Sequence, residues 1–274
     1  CTMIATTNRI YQIFKQQREK KNPEKLMNLF ITAGYPDLDS TVDLVLGMEE
    51  NGADMVEIGM PFSDPLADGP TIQFSSETAI DNGITLEKIF GMCRQIREKS
   101  GIPIVLMGYV NPVLHYGAEK FMKKASEAGV DGLILPDLPI EESYLIEEAR
   151  KAYNIPQIYL VAPNTSDERM KTIDKKSEGF VYCVSVTGVT GAREGDEVAR
   201  SVNRFIDRVN ENITENPKMV GFGIKSHRDA KLIAEKVEGF IVGSALIDTI
   251  REHYPRDGWK EKVFEFVHEL KYGN

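Results

Sequence analysis

Cysteine and histidine are scarce in this chain, and their scarcity excludes several chemistries. Three cysteines occur, Cys1, Cys93 and Cys183, with no C-x-x-C pair. The four histidines, His115, His227, His253 and His268, show no H-x-H or H-x-x-x-H spacing. A metal site is therefore not expected, and an odd, sparse cysteine set suits a reducing cytoplasm better than a disulfide scaffold. No apolar run reaches the ~20 residues that span a bilayer, so no membrane association is expected. Basic residues are outnumbered, 33 against 42 acidic ones, for a formal net charge of -9. Short basic runs such as Lys20-Lys21 and Lys123-Lys124 read as solvated helix faces, and no basic stripe forms, so nucleic acid is not an expected partner. The opening residues, Cys1 to Asn8, are small and polar and carry no h-region of a signal peptide. Residues 1–8 are set aside as an N-terminal tail, disordered or left over from cloning, and residues 9–274 are read as a single domain.

What the chain does have is a repeating order. Its 274 residues are 42% hydrophobic, enough for a large core. Arg9 to Lys20 carries Ile10, Ile13 and Phe14 at i, i+3 and i+4, one stripe of an N-terminal helix. Apolar, strand-like runs then follow at Leu26 to Thr32, Asp54 to Gly59, Pro103 to Met107, Val130 to Leu135, Ile155 to Val161, Phe180 to Val186, Lys218 to Phe222 and Phe240 to Val242. Amphipathic helical stretches alternate with them: one opened by Asp39-Ser40-Thr41, one capped by Thr85, then Gly117 to Ala128, Glu141 to Tyr153, Ser166 to Lys176, Glu197 to Asn210 and His227 to Lys236. A short helical stretch, Ala245 to Ile250, and further helical patterns finish the chain. The segment from Gly59 to Gly83 is read as one long loop. Eight strand-then-helix units without a composition break predict an α/β fold, a single (β/α)8 TIM barrel with an extra N-terminal helix. The doubly wound open sheet is the runner-up, weakened because no G-x-G-x-x-G follows the first strand.

The stretch from Val56 to Pro70 organises the rest. Glu57 sits between Val56 and Ile58, so strand alternation points it away from its apolar neighbours. Alone, it reads either as a strand-edge carboxylate paired with a Lys or Arg, or as a general acid/base with a raised pKa. A second carboxylate, Asp68, returns on a Pro- and Gly-punctuated loop, and two carboxylates in different surroundings can divide acid and base roles. In a barrel both fall at the carboxyl ends of the strands, where chemistry is placed.

Glycine-bearing turns follow the sixth, seventh and eighth strands: Gly188-Val189-Thr190-Gly191, Gly221-Phe222-Gly223 and Gly243-Ser244. The last opens the short helical stretch, and bare N–H groups at a helix start attract an anion. Together the three turns favour a phosphate site, with that short helix after strand eight as its phosphate-binding helix. Tyr182 reads equally as core packing or as a site residue. The loop from Thr187 to Gly195 is Gly-rich and reads as a lid closing over ligand.

These residues resemble one family closely, the tryptophan synthase α subunits. The resemblance rests on Glu57-Ile58-Gly59, the P-F-S-D-P-x-A-D-G-P run from Pro61 to Pro70, Thr71-Ile72-Gln73, Pro136-Asp137-Leu138-Pro139, the three glycine turns and Ile224 and Ala245 beside them. It implies retro-aldol cleavage of indole-3-glycerol phosphate to indole and glyceraldehyde 3-phosphate, by an enzyme of tryptophan biosynthesis. It implies Glu57 as acid/base and Asp68 as the carboxylate on the indole nitrogen, with Tyr182 lining the site. Phe30, Leu106, Ile134 and Phe222 would pack around the indole, and Ile72 and Ile241 count with the substrate-binding residues. Thr190, Gly191, Gly223, Gly243 and Ser244 would surround the phosphate or close over it. No cofactor is implied in this chain. Pyridoxal phosphate belongs to the implied partner, a β subunit in an α2β2 heterotetramer, with Asp64, Tyr109, Asn111, Pro112 and Pro139 at the interface. Gly108 departs from the family, standing where Ser or Thr is expected. Alternatives are a free-standing lyase without a β partner and another sugar-phosphate barrel enzyme.

Overall fold

The computed structural model describes residues 8–184, 195–221 and 223–273, with the side chains of residues 195–200 left aside. The sequence positions 1–7 of the tail, most of the lid loop, Thr190, Gly191 and Phe222 lie outside the described residues. The elements in chain order are α1 (Arg9–Glu19), β1 (Leu26–Thr32), α2 (Ser40–Glu50), β2 (Met55–Gly59), α3 (Pro70–Asp81), α4 (Leu86–Lys99), β3 (Ile104–Met107), α5 (Val110–Tyr116), α6 (Ala118–Glu127), β4 (Gly132–Ile134), α7 (Tyr144–Ala152), β5 (Gln157–Val161), α8 (Asp167–Lys176), β6 (Val181–Val184), α9 (Gly195–Asn212), β7 (Lys218–Gly221), α10 (His227–Ile233), β8 (Gly239–Val242), α11 (Ser244–His253) and α12 (Trp259–Tyr272).

The eight strands pair in parallel, each with the next, and β8 closes on β1. The fold is the expected TIM barrel with an extra N-terminal helix. Strand alternation splits the core into two layers. Outward residues such as Leu29, Val56, Ile58, Leu106 and Leu133 pack against the helices. Inward residues such as Leu26, Met55, Val105, Ile134, Ile158 and Met219 fill the barrel. Ile10 and Phe14 of α1 join this inner cluster, so the N-terminal helix stoppers the amino-terminal end of the barrel. Asn8 belongs with it: its Oδ1 accepts from Ile10 N at 3.0 Å, a helix cap that satisfies a free first-turn donor.

Two helices depart from the sequence expectation. The segment read as a long loop holds α3, which starts with Pro70 at its first position, where a missing N–H costs nothing. Helix α5 follows β3 within three residues, and Pro112 likewise sits in its first turn. Thr85 caps α4 as expected, accepting from Lys88 N at 3.3 Å. Among the described residues no helix is long and apolar enough to cross a membrane.

Candidate active site

A cleft opens at the carboxyl ends of the strands, lined by Phe30 of β1, Asp68 and Ile72 after β2, Met107 of β3, Tyr182 of β6 and Gly221 of β7. The residues that follow β7 and β8, among them Gly223, Lys225, Gly243 and Ser244, complete it. Eight of the residues singled out in the sequence thus meet in one place: Phe30, Asp68, Ile72, Tyr182, Gly223, Ile241, Gly243 and Ser244.

Glu57 stands level with Phe30 in the β1–β2 register but does not line the cleft, and the ring of Phe30 covers the end of β2, where a Cβ on Gly59 would stand 2.5 Å from Cζ. Glu57 is 0% exposed, and burial pushes its carboxyl up to about 8, a hydrogen bond from Asn28 pulling the other way. Asn28 Nδ2 donates to Oε1 at 2.6 Å. No Lys or Arg pairs with Glu57 among the ion pairs of the described residues, so the reading as a strand-edge salt bridge has no partner here.

Asp68 is held differently. The Tyr109 hydroxyl accepts from Ala67 N at 2.9 Å and bonds the Asp68 carboxylate, while Gln73 Nε2 donates to the Asp68 carbonyl at 2.8 Å. Its pKa is raised, by partial burial first, with the Tyr109 bond lowering it. The loop carboxylate is thus half-buried rather than fully wet. The remaining acids of the organising stretch are sorted elsewhere. Asp54 accepts from Met27 N and pairs with Lys271 at 2.6 Å at the opposite end of β2, and Asp64 is exposed.

Tyr182 stands in the cleft wall, its phenol held well above its usual pKa by burial and then by Glu57. A Cβ on Gly221 would lie 2.8 Å from its hydroxyl, so glycine there makes room for the ring. Leu106 is corrected by the structure. It points outward into the helix-facing layer, and the next residue, Met107, points in and lines the cleft. Strand phase decides this: Val105 and Met107 share the inner face, and a one-residue slip swaps faces. Ile134 does face the barrel interior but does not line the cleft. Gly108 has a local reason, since a Cβ there would meet Met60 Cε at 2.8 Å. Met107, Gly221, Ile224, Lys225 and Ala245 are cleft residues that were not assigned from the sequence. The last four sit in or beside glycine turns that were recognised, whereas Met107 lies in an all-apolar strand whose inward phase the sequence alone does not mark.

Of the expected interface residues, Asp64, Asn111 and Pro139 are exposed and Pro112 is half-buried. Tyr109 is 7% exposed and turns its hydroxyl toward Asp68, which places it with the cleft. Cys93 and Cys183 are buried, and burial pushes both thiols up to about 12, so neither offers a thiolate. Among the described residues no group of three or more His, Cys, Asp or Glu is placed to hold a metal ion.

A closed parallel (β/α)8 barrel with a carboxylate-bearing cleft at its strand ends defines the class, that of the TIM-barrel enzymes. Comparison with known proteins narrows it. The family model described as tryptophan synthase alpha chain matches residues 14–272. The tryptophan synthase alpha chain of Caldanaerobacter subterraneus subsp. tengcongensis is 48% identical over 92% of this chain and 95% of its own. The crystal structure of tryptophan synthase subunit alpha from Legionella pneumophila superposes with a TM-score of 0.86 at 35% identity, covering 97% of each chain. A chain of tryptophan synthase from M. tuberculosis, in an open form, superposes with a TM-score of 0.85 at 31% identity, covering 97% of this chain and 98% of that one. The chain belongs to the tryptophan synthase alpha chain family. It is an indole-3-glycerol phosphate lyase of tryptophan biosynthesis, and its family needs no cofactor, pyridoxal phosphate being held by the beta chain.

Proposed function

We propose that Glu57 is the general acid and base of the cleavage and that Asp68 stabilises the cationic intermediate. The observation that carries this is Glu57 itself, a carboxyl without an ion partner, fully buried in the middle of β2 with its pKa pushed up to about 8. At neutral pH such a group holds its proton and can give it away. Glu57 protonates indole C3, and the positive charge that appears is shared with N1, where Asp68 lies opposite it. The C3–carbon bond to the glycerol chain then breaks. Its electron pair returns to the ring and restores indole. The hydroxyl on the departing carbon loses its proton to Glu57, and the C=O of glyceraldehyde 3-phosphate forms. Glu57 ends protonated, ready for the next turnover. Phe30, Ile72, Met107, Tyr182 and Ile241 supply the apolar walls that orient the ring.

The phosphate is read at the other side of the cleft. Gly223 has φ +63° with nothing within 4 Å of where a Cβ would be. Gly243 and Ser244 start α11, which has no side-chain cap; Gly243 O already takes Leu246 N at 3.0 Å and Ile247 N at 3.1 Å, so the N–H groups of Ser244 and Ala245 are the ones left to an anion. Thr190 and Gly191 are assigned to the same end from the family pattern alone. For the partner, the segments after β2, β3 and β4 carry Asp64 on a loop, Asn111 and Pro112 in the first turn of α5, and Pro139, with Leu66 95% exposed among them. That rim supports docking of a β subunit, to which indole is passed; the α2β2 stoichiometry and the cytoplasmic location follow from the family pattern alone. The M. tuberculosis neighbours are structures of tryptophan synthase as a whole, which favours the same reading.

The test is indole release by the purified Glu57→Gln chain, with and without β subunit. A general acid/base contributes typically ~10²–10⁴-fold. Loss of that order with substrate still bound is expected, and near-normal turnover would remove Glu57 from the chemistry.

A further inference from the structure

Inside the barrel, beneath the cleft, two polar side chains face each other in an otherwise apolar layer. Asn28 of β1 and Glu57 of β2 are each 0% exposed. Asn28 Nδ2 donates to Glu57 Oε1 at 2.6 Å, while Glu57 Oε2 and Asn28 Oδ1 have no hydrogen-bond partner among the described residues. An asparagine on the inner face of a barrel strand is costly to bury unless it is bonded, so its single good bond is what holds it there.

We propose that Asn28 is a positioning residue that acts through Glu57: its amide N–H occupies Oε1 and so reserves Oε2 as the oxygen that carries and delivers the proton. The argument is one of donors and acceptors. A carboxylic acid has one oxygen that bears hydrogen and one that only accepts. With an N–H aimed at Oε1, a hydrogen on that oxygen would meet another hydrogen, so the proton resides on Oε2. The same bond fixes the carboxyl plane, so the acid is presented in one orientation at every turnover. The bond also favours the ionised form and opposes the rise caused by burial, keeping the proton transferable in both directions. The proposal rests on the reading of Glu57 as the acid/base.

The surroundings leave Asn28 as the polar group in direct contact. Tyr182 of β6 is neutral and close enough for its phenol to be affected by Glu57. Asp68 and Lys225 stand above in the cleft, and β3 and β8 present apolar Val105 and Ile241.

The experiment compares the pH dependence of indole release by wild type, Asn28→Val and Glu57→Gln. Valine suits a strand and removes the donor. For an acid that must start protonated, activity falls above its pKa. Losing a hydrogen bond to a charged group should move that alkaline limb upward by about 1–2 pH units. kcat near neutrality should fall about tenfold or more, with KM changed far less. A merely structural asparagine would lower the melting temperature and leave the limb where it is, and that result overturns the proposal. The unmutated chain gives a second measurement. The Asn28 side-chain amide resonances should titrate with the midpoint of the alkaline limb, and the titration should vanish in Glu57→Gln. Amide resonances that ignore this midpoint overturn the proposal without any variant at position 28. If Glu57→Gln turns over normally, the acid/base reading falls and takes the proposal with it. If Glu57→Gln is inactive while Asn28→Val keeps the wild-type limb, the role of Asn28 alone is overturned.

Discussion

Glu57 holds its proton to about pH 8 because no part of it reaches solvent, and this makes it a cost to the fold at high pH. In the unfolded chain a glutamate titrates near 4.5, the value from which the folded one is raised. The folded state therefore binds the proton more tightly, so the stabilisation from the protonated form is complete below the unfolded value. It is lost as pH rises toward the folded one. At about 1.36 kcal/mol per pH unit, a rise from 4.5 to about 8 sets a ceiling of roughly 5 kcal/mol. Glu57→Gln has no such titration. Urea unfolding of both chains at pH 5.5 and 8.5 should show wild type losing several kcal/mol relative to the variant; parallel profiles would mean that Glu57 is not buried as an acid. At this scale the sequence was legible where chemistry contradicts packing. An acid between Val56 and Ile58 has no packing reason to be there. Asn28 escaped notice because one polar residue in a strand has many harmless explanations, and its partner lies 29 positions away. Leu106 was misplaced because a run of apolar residues gives no sign of which phase faces inward.

On the proposed reading, the phosphate is bound by an element rather than by a single side chain. Helix α11 begins directly after β8, and its start is formed by Gly243 with φ -122° and ψ -79°. A Cβ at Gly243 would touch Phe30 Cβ at 3.4 Å, an ordinary contact, so a side chain fits and its charge decides the outcome. If the phosphate sits at this helix start, Gly243→Asp puts a carboxylate beside it, competing for the Ser244 and Ala245 N–H groups and repelling the anion. Titration with glycerol phosphate should show affinity falling about tenfold or more, with Gly243→Ala close to wild type. Unchanged binding by the aspartate variant would place the phosphate elsewhere. Helix starts of this kind were readable because glycine and serine mark them. Helices α3 and α5 were not. Pro70 and Pro112 look like loop residues in a single sequence, and only their place in the first turn makes them compatible with a helix. The strand order was legible from periodicity because all eight repeats alternate the same way, which leaves few topologies.

The whole molecule separates its two ends. The cleft lies at the carboxyl ends of the strands, and the amino-terminal end is closed by α1. Phe14 packs on Phe180 with ring centroids 6.0 Å apart, and Gln17 Nε2 donates to Glu24 O and Glu238 O, both at 2.7 Å. Asp131, at the start of β4, pins this stopper to the barrel. Its side chain is 3% exposed and pairs with Arg9 of α1 at 2.9 Å and Arg97 of α4 at 3.0 Å. It also accepts from Ile104 N at 2.9 Å, and its carbonyl accepts from Asn8 Nδ2 at 2.8 Å. Asp131→Ala removes the side-chain partners together and leaves the half-buried Arg97 uncompensated. Breaking a buried pair costs about 3–5 kcal/mol, and the lower end applies because Arg97 keeps the Gly129, Ser100 and Ile102 carbonyls. For a chain of this size about 3 kcal/mol lowers the melting temperature by roughly 6–10 °C. Indole release at 25 °C should stay within about twofold of wild type, because Asp131 lies at the end of the barrel away from Glu57. Calorimetry and the indole assay on the same preparation separate the two effects. A variant that melts normally would show that α1 holds by apolar contact alone. One that melts early and also loses activity when fully folded would show that the two ends of the barrel are coupled.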